Sequence, residues 1–238
     1  MKLLVIMPLY NRGKYVKEAI ESVLQQTHKN LELVIVNDCS TDNSLEVAKQ
    51  YEDRENITIL ENTTNKGCYY SRNKGLNHFK DKEWDIFTIH DPDDVSDITR
   101  FEEILKEFDK SVLGIRPLYL EVDQNLEPIN VNGKTRFHGE GVAFYRRVVF
   151  QNILGYYDNT RFSGDTDYWW RLEAYCKVNN INGTKLSNKP LYLRRVHGEN
   201  LSIIYDHKTT RPKYWNKVRE EIQNKMIPNN NFYRSIFN

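Results

Sequence analysis

The stretch Trp84-Asp-Ile-Phe-Thr-Ile-His-Asp-Pro-Asp-Asp94 runs an apolar segment straight into a cluster of acids. Its first six residues are rich in aromatic and β-branched side chains and predict a buried strand. Asp91, Asp93 and Asp94 follow at once. Three carboxylates so close together repel one another, and burial raises their pKa values unless a cation stands among them. In open α/β sheets ligands collect at the carboxyl ends of strands, so a divalent ion holding an anionic ligand suits this position. The competing reading is a turn and a helix cap, because Asp-Pro opens turns and acids favour the first turn of a helix. Ser96 and Asp97 already supply caps for a helix expected from about Ile98, which leaves the earlier acids without that job.

Upstream, the same grammar repeats. Leu3 to Met7 is an unbroken apolar run of the kind expected for a parallel strand covered on both faces, stopped by Pro8. Val16, Ala19, Ile20, Val23 and Leu24 then recur at helical spacing. Leu31 to Val36 and Ile57 to Leu60 read as further strands, each followed by a helical pattern. This rhythm predicts a right-handed, mostly parallel sheet with helices on both faces. Each strand ends in polar or conformationally special residues: Pro8 to Asn11, Asp38 to Asp42, Asn62 to Gly67, and Asp91 to Asp94. One edge of the sheet is thereby expected to be a ligand-binding rim.

Downstream the pattern changes. Val112 to Ile115, Leu118 to Val122 and Gly141 to Tyr145 predict shorter strands, read as a mixed or antiparallel extension of the same sheet, with a turn at Asn132-Gly133. A short helix over Arg146 to Leu154, a longer one from about Phe162 to Val178 and a last strand from Pro190 to Val196 complete it. The expected organisation is one domain over residues 1–205, with a C-terminal helix and tail over 206–238.

The 238 residues carry 34 basic and 33 acidic side chains, a balance that gives no global field for nucleic acid. Cys39, Cys68 and Cys176 are far apart in sequence and suggest neither a disulfide framework nor a zinc site, so a reducing, cytoplasmic setting is expected. No stretch reaches the ~18 apolar residues of a membrane span, which leaves at most peripheral membrane contact. No Gly-x-Gly-x-x-Gly follows the first strand and there is no Walker loop, so a dehydrogenase or P-loop enzyme would lack its phosphate cradle. A nucleotide diphosphate on this rim needs its charge offset by a metal at the acidic cluster. Asp38 suits hydrogen bonds from a base or ribose, Tyr10 can stack on a base, and Arg72 can reach phosphates. Each also has a plain structural reading, as cap, loop packing or solvated helix charge.

In order and spacing, five segments resemble the motifs of family 2 glycosyltransferases with the GT-A fold. They are Pro8-Leu-Tyr-Asn11, Val36-Asn-Asp-Cys-Ser-Thr-Asp42, Gly67-Cys-Tyr-Tyr-Ser-Arg-Asn-Lys-Gly75, Asp91-Pro-Asp-Asp94 and Gly164-Asp-Thr-Asp-Tyr-Trp-Trp-Arg171. The resemblance implies an inverting, metal-dependent transferase. Such an enzyme uses Mn²⁺ or Mg²⁺ and moves a sugar from a nucleotide donor, commonly UDP-linked, to a glycan, lipid-linked or protein hydroxyl. It assigns Pro8, Tyr10, Asp38, Arg72 and Asp91 to the donor, and Asp93, with His197, to the metal. Asp165 matches the general base, six residues before Arg171; Gly164 stands where the family usually has Glu. Asp167 competes with Asp165 but suits a surface ion pair with Arg171. Trp169 and Trp170 are candidates for an acceptor sugar platform, or for core. Two other classes compete: a nucleotide-sugar or glycan binding module without turnover, and a nucleotidyltransferase, which would want a Gly-rich, basic loop after the first strand.

Overall fold

The computed structural model describes residues 1–130, 133–198 and 200, with 213, 216 and 220 as isolated positions. Apart from those three positions, the C-terminal segment expected over 206–238 falls outside the described residues, as does Asn132 of the expected turn. In chain order the elements are β1 (Leu3–Leu9), α1 (Val16–Leu24), β2 (Leu31–Asn37), α2 (Ser44–Lys49), β3 (Ile57–Glu61), α3 (Cys68–Phe79) and β4 (Ile86–Ile89). Then follow β5 (Val95–Ser96), α4 (Arg100–Leu105), β6 (Gly114–Val122), β7 (Arg136–His138), β8 (Phe144–Arg146), α5 (Gly164–Val178) and β9 (Thr184–Arg195). They build one sheet in the order β3-β2-β1-β4-β8-β6-β9-β5, with β7 paired to β6. β3, β2, β1 and β4 run parallel; β8 returns antiparallel to β4, and β6 pairs antiparallel to β8 and parallel to β9. The architecture is mixed α/β with a mostly parallel central half, as the sequence leads one to expect.

The unbroken apolar runs exist because both faces of the sheet are covered. Along β1, Leu3, Val5, Met7 and Leu9 face a core shared with Val16, Ala19, Ile20 and Val23 of α1 and with Phe101 and Ile104 of α4. Leu4 and Ile6 face the other side, against Leu76 and Phe79 of α3 and Trp169 and Leu172 of α5. A period of two over a run that is greasy at every position places half the side chains in each core.

Several boundaries differ from the sequence reading. Pro8 does not stop β1, which continues to Leu9 opposite Asn37. Its nitrogen points towards β4, and β4 has left the ladder by then, so no rung is lost. The helix expected from Ile98 starts at Arg100, because Asp97 Oδ1 accepts the Thr99 N–H (2.8 Å) and holds an Asx turn ahead of it. The two strands expected on either side of Pro117 are one strand, β6, in which the proline sits at a register shift against β9. Residues 140–142 form a 3₁₀ turn and not strand, so β8 begins only at Phe144. The helix expected from Arg146 is a π-helical stretch, Val149–Leu154, ended by Gly155 in the left-handed region. β9 is longer than expected and begins at Thr184, because Thr184 to Ser187 pair with Gly114 to Pro117. Among the described residues no helix is long and apolar enough to cross a membrane.

Candidate active site

The site follows from where two central strands part. The last rung between β1 and β4 is the His90 N–H donated to the Ile6 carbonyl (3.0 Å), and Pro8 has no N–H to extend it. β1 and β2 stay together to the Asp38 N–H donated to Leu9 O (2.7 Å). A crevice therefore opens at the carboxyl ends of β1 and β4, at the point where strand order reverses, which is where open α/β sheets bind ligands. On one wall Tyr10 is 42% exposed, a free aromatic face at the tip of β1. Behind it Asn11 Oδ1 accepts the Thr41 N–H (2.8 Å) and Asp42 Oδ2 the Gly13 N–H (3.0 Å), so the loops after β1 and β2 brace each other.

Asp38 is turned inwards more than expected. Its Oδ1 accepts from Asn62 Nδ2 and the Lys66 N–H (both 2.8 Å), and its Oδ2 from the Gly67 N–H (2.7 Å). The carboxylate thus ties down the loop that leads into α3. With four lone-pair sites and three protein donors, it retains one position for a base or ribose.

The three acids after β4 do not converge, contrary to the expectation of a single carboxylate cage. Asp91 pairs with Arg72 Nη2 (3.3 Å); Asp93 Oδ2 accepts from Arg12 Nε (2.8 Å) and faces His197 Nε2 (2.9 Å); Asp94 Oδ1 accepts the Arg195 N–H (2.8 Å). Their charges follow their partners. Burial pushes Asp91 up against the pull of Arg72, with Asp93 and Asp165 adding like charge. Burial also opposes ionisation of Asp93, but His197 and Arg12 outweigh it and hold that carboxyl below its usual range. Asp94 is raised well above the ordinary carboxylate range by burial and by its two acidic neighbours, which favours its neutral form.

Among the described residues no three His, Cys, Asp or Glu side chains gather as a metal cage. Asp93 and His197 nevertheless fit a divalent ion that takes its remaining ligands from phosphate. Asp93 Oδ2 and His197 Nε2, hydrogen-bonded to each other here at 2.9 Å, are donors of the type that would hold such an ion. Tyr15 stacks on the imidazole (ring centroids 5.3 Å apart), Asn200 Nδ2 lies 3.3 Å from its Nε2, and Asn200 Oδ1 accepts the backbone N–H of His197 (2.6 Å), so ring and backbone are both held in place.

Arg72 is not the solvated helix charge that its spacing allowed. It is 4% exposed, lies over Tyr69 (4.8 Å) and Tyr157 (5.6 Å), and its Nε and Nη1 have no hydrogen-bond partner among the described residues. A buried guanidinium with two orphaned nitrogens is a receptor for an anion. Asp165, in the first turn of α5, accepts the Tyr69 hydroxyl (2.9 Å) and lies near enough to add its charge to that felt by Asp91. Arg72, Asp91 and Asp165 thus lie close together.

The rest of α5 corrects two readings. Asp167 forms no surface pair: it is 3% exposed, with Arg171 Nη2 at 2.8 Å from its Oδ2, and Arg171 also donates to the Leu154 and Tyr156 carbonyls. Trp169 is fully buried against Tyr145, its indole N–H donated to Glu173 (2.6 Å), and offers no face to a sugar. Trp170 is half-buried and packs at the edge of the same core.

Sequence reasoning gives no role to Arg12, Tyr69, Tyr192 or Arg195. Arg12, in the loop after β1, donates to Asp93 and so faces the acids. The Tyr192 hydroxyl accepts the Asp91 N–H (3.0 Å), and Arg195 Nη2 donates to Glu18 Oε2 (2.7 Å), tying β9 to α1. Beneath the acids, His90 is fully buried and pushed down to about 3 by burial, with Arg100 adding to the effect. Its folded pKa lies below the unfolded value of about 6.5, so its contribution to stability is intact above that value and fades as pH falls towards 3. At pH 5 the loss is about 2 kcal/mol. Urea unfolding of wild type and His90→Gln at pH 7.5 and 5 is expected to show that much extra acid sensitivity in the wild type alone.

Glycosyltransferase GlyG of Streptococcus pneumoniae serotype 4 is 32% identical over 126 residues, 51% of this chain and 41% of its own length. EpsE of Bacillus subtilis (strain 168), named only provisionally as a glycosyltransferase, is 30% identical over 187 residues, 72% of this chain and 66% of that protein. The chain thus spans two thirds or less of these curated relatives. Among solved structures, S. aureus TarS residues 1–349 with UDP-GlcNAc superposes with a TM-score of 0.73 at 20% identity, over 97% of this chain and 68% of that one, which establishes a shared GT-A fold. The model of Glycosyl transferase family 2 matches residues 4–235, nearly the whole sequence, and the chain belongs to that family.

Proposed function

We propose that the protein transfers a sugar, with inversion, from a nucleotide diphosphate donor, UDP-linked in the first instance, to a hydroxyl of a glycan, lipid-linked or protein acceptor. The observation that carries this reading is Arg72, a buried guanidinium paired with Asp91 whose Nε and Nη1 have no hydrogen-bond partner among the described residues, one helical turn from the Tyr69 that reaches Asp165. Family membership supports sugar transfer. The solved relatives support the donor class: TarS is known with UDP and with UDP-GlcNAc, and a mannosyltransferase from Pyrobaculum calidifontis (TM-score 0.64, 16% identity, 94% of this chain and 62% of that one) with GDP-Man and Mn²⁺.

In this reading Tyr10 stacks on the base and the remaining lone pair of Asp38 accepts from it, while Arg72 donates to the diphosphate. Asp93 and His197 would hold the divalent ion, Mn²⁺ or Mg²⁺, which when bound would offset the charge of the leaving diphosphate. Inversion by in-line attack needs a base to take the acceptor hydroxyl's proton as the bond to C1 forms, and Asp165, close to Asp91 and in no ion pair among the described residues, is assigned that role. Asp167, locked to Arg171, is excluded from that role.

Two measurements test the donor half. Arg72→Met is expected to weaken UDP binding by about tenfold or more, the effect of removing a charge-assisted hydrogen bond; calorimetry that finds unchanged affinity contradicts it. Asp93→Ala is expected to abolish the extra thermal stabilisation that Mn²⁺ adds to UDP, while stabilisation by UDP alone persists. If the Mn²⁺ increment survives, Asp93 does not hold the ion. UDP release in the presence of acceptor separates an enzyme from a binding module.

A further inference from the structure

Asp165 is held by an arrangement that involves two residues distant in sequence. Tyr69, in the first turn of α3, is 5% exposed, and its ring lies directly against the backbone of Gly164. A Cβ placed on residue 164 would stand 2.9 Å from Tyr69 Cδ1, 3.0 Å from its Cγ and 3.1 Å from Thr160 Cγ2. The ring can approach this closely only because residue 164 has no side chain. Its hydroxyl then reaches Asp165 Oδ1 at 2.9 Å, and the Thr166 N–H donates to the same oxygen (2.9 Å). Oδ1 thereby has both lone pairs engaged. Oδ2 faces Gly141, where a Cβ would come within 2.9 Å of it. The carboxylate is thus fixed in one rotamer, with one oxygen occupied and the other left to accept a proton.

We propose that Tyr69 is the positioning residue for Asp165, and that Gly164 is its steric complement, the bare backbone that lets the phenol reach the carboxylate. The inference rests on the reading of Asp165 as base and adds the device that orients it. Burial and the charge of Asp165 raise the Tyr69 phenol well above its ordinary range, so it remains a donor at working pH. Arg72 under the ring ties the same phenol to the donor side of the crevice. The tyrosine ring occupies the space that a side chain at residue 164 would need.

The test is steady-state kinetics on whichever of UDP-glucose, UDP-galactose, UDP-GlcNAc and GDP-mannose the wild type turns over fastest, with UDP affinity and thermal midpoint measured beside it. Tyr69→Phe keeps the ring and its packing but loses the hydroxyl; kcat is expected to fall about tenfold, the worth of one hydrogen bond to a charged group, with donor KM and UDP affinity within twofold. Gly164→Ala is expected to lower kcat similarly by displacing the ring. The double variant Tyr69→Phe/Gly164→Ala should be no slower than Tyr69→Phe alone, because both changes remove the same contact. A merely structural role would give additive losses and move UDP affinity with them. Wild-type kcat in Tyr69→Phe, alongside an inactive Asp165→Asn, overturns the positioning role and leaves the base in place. An active Asp165→Asn overturns the base, and the positioning role with it.

Discussion

Asp165→Asn is expected to abolish sugar transfer while leaving UDP affinity within a few-fold of wild type. The amide is nearly isosteric, and its oxygen can still accept from the Tyr69 hydroxyl and the Thr166 N–H that hold Oδ1. What it cannot do is take a proton from the acceptor hydroxyl. Removing a general base lowers the rate by about 10²–10⁴-fold, and the loss should fall on kcat, because the group acts in the transition state and not in donor binding. Arg72, Asp93 and the rim loops are untouched by the change, so calorimetry with UDP is the matching control. Full turnover by Asp165→Asn eliminates the mechanism.

The second large effect is on stability. Asp167→Ala is expected to destabilise the fold by roughly 3–5 kcal/mol, the usual consequence of leaving one partner of a buried ion pair alone. Arg171 is 5% exposed, and its Nε and Nη2 both lie within 2.9 Å of Asp167 Oδ2. Without the carboxylate the guanidinium loses its ion-pair partner, while its donations to the Leu154 and Tyr156 carbonyls do not balance its charge. A chain of this size loses about 2–4 °C per kcal/mol, so calorimetry should show a fall of roughly 6–20 °C. The double variant Asp167→Ala/Arg171→Met, which removes both charges, should recover much of it. A single variant within 1 kcal/mol of wild type by urea titration (about 2–4 °C) contradicts the buried pair. The two aspartates of α5, two residues apart, are thus expected to separate cleanly: one changes rate, the other stability.

Much of this was legible in the sequence, for a physical reason. A strand covered on both faces is greasy at every position, so β1, β2 and β4 announce themselves, and polar residues at their carboxyl ends mark the rim. The antiparallel half left weaker traces. β6 pairs with β9 across about seventy positions, and whether Pro117 breaks a strand or sits in a bulge depends on that distant partner. The same limit governs the site. Arg12 and Asp93 are 81 residues apart, so nothing local marks their pairing, and the divergence of the three acids depends on Arg72, His197 and the β9 backbone. Trp169 illustrates the remaining ambiguity, because helical spacing puts it on a face but only the packing of β8 decides that the face is interior.

The most direct measurement is a crystal structure of the protein soaked with UDP and Mn²⁺, recorded with anomalous scattering at the manganese edge. The expected result is a peak within bonding distance of Asp93 Oδ2 and His197 Nε2, bridged to a diphosphate that meets the free nitrogens of Arg72, with uracil against Tyr10. A nucleotide seated away from the ends of β1 and β4, or manganese bound elsewhere, would contradict this account.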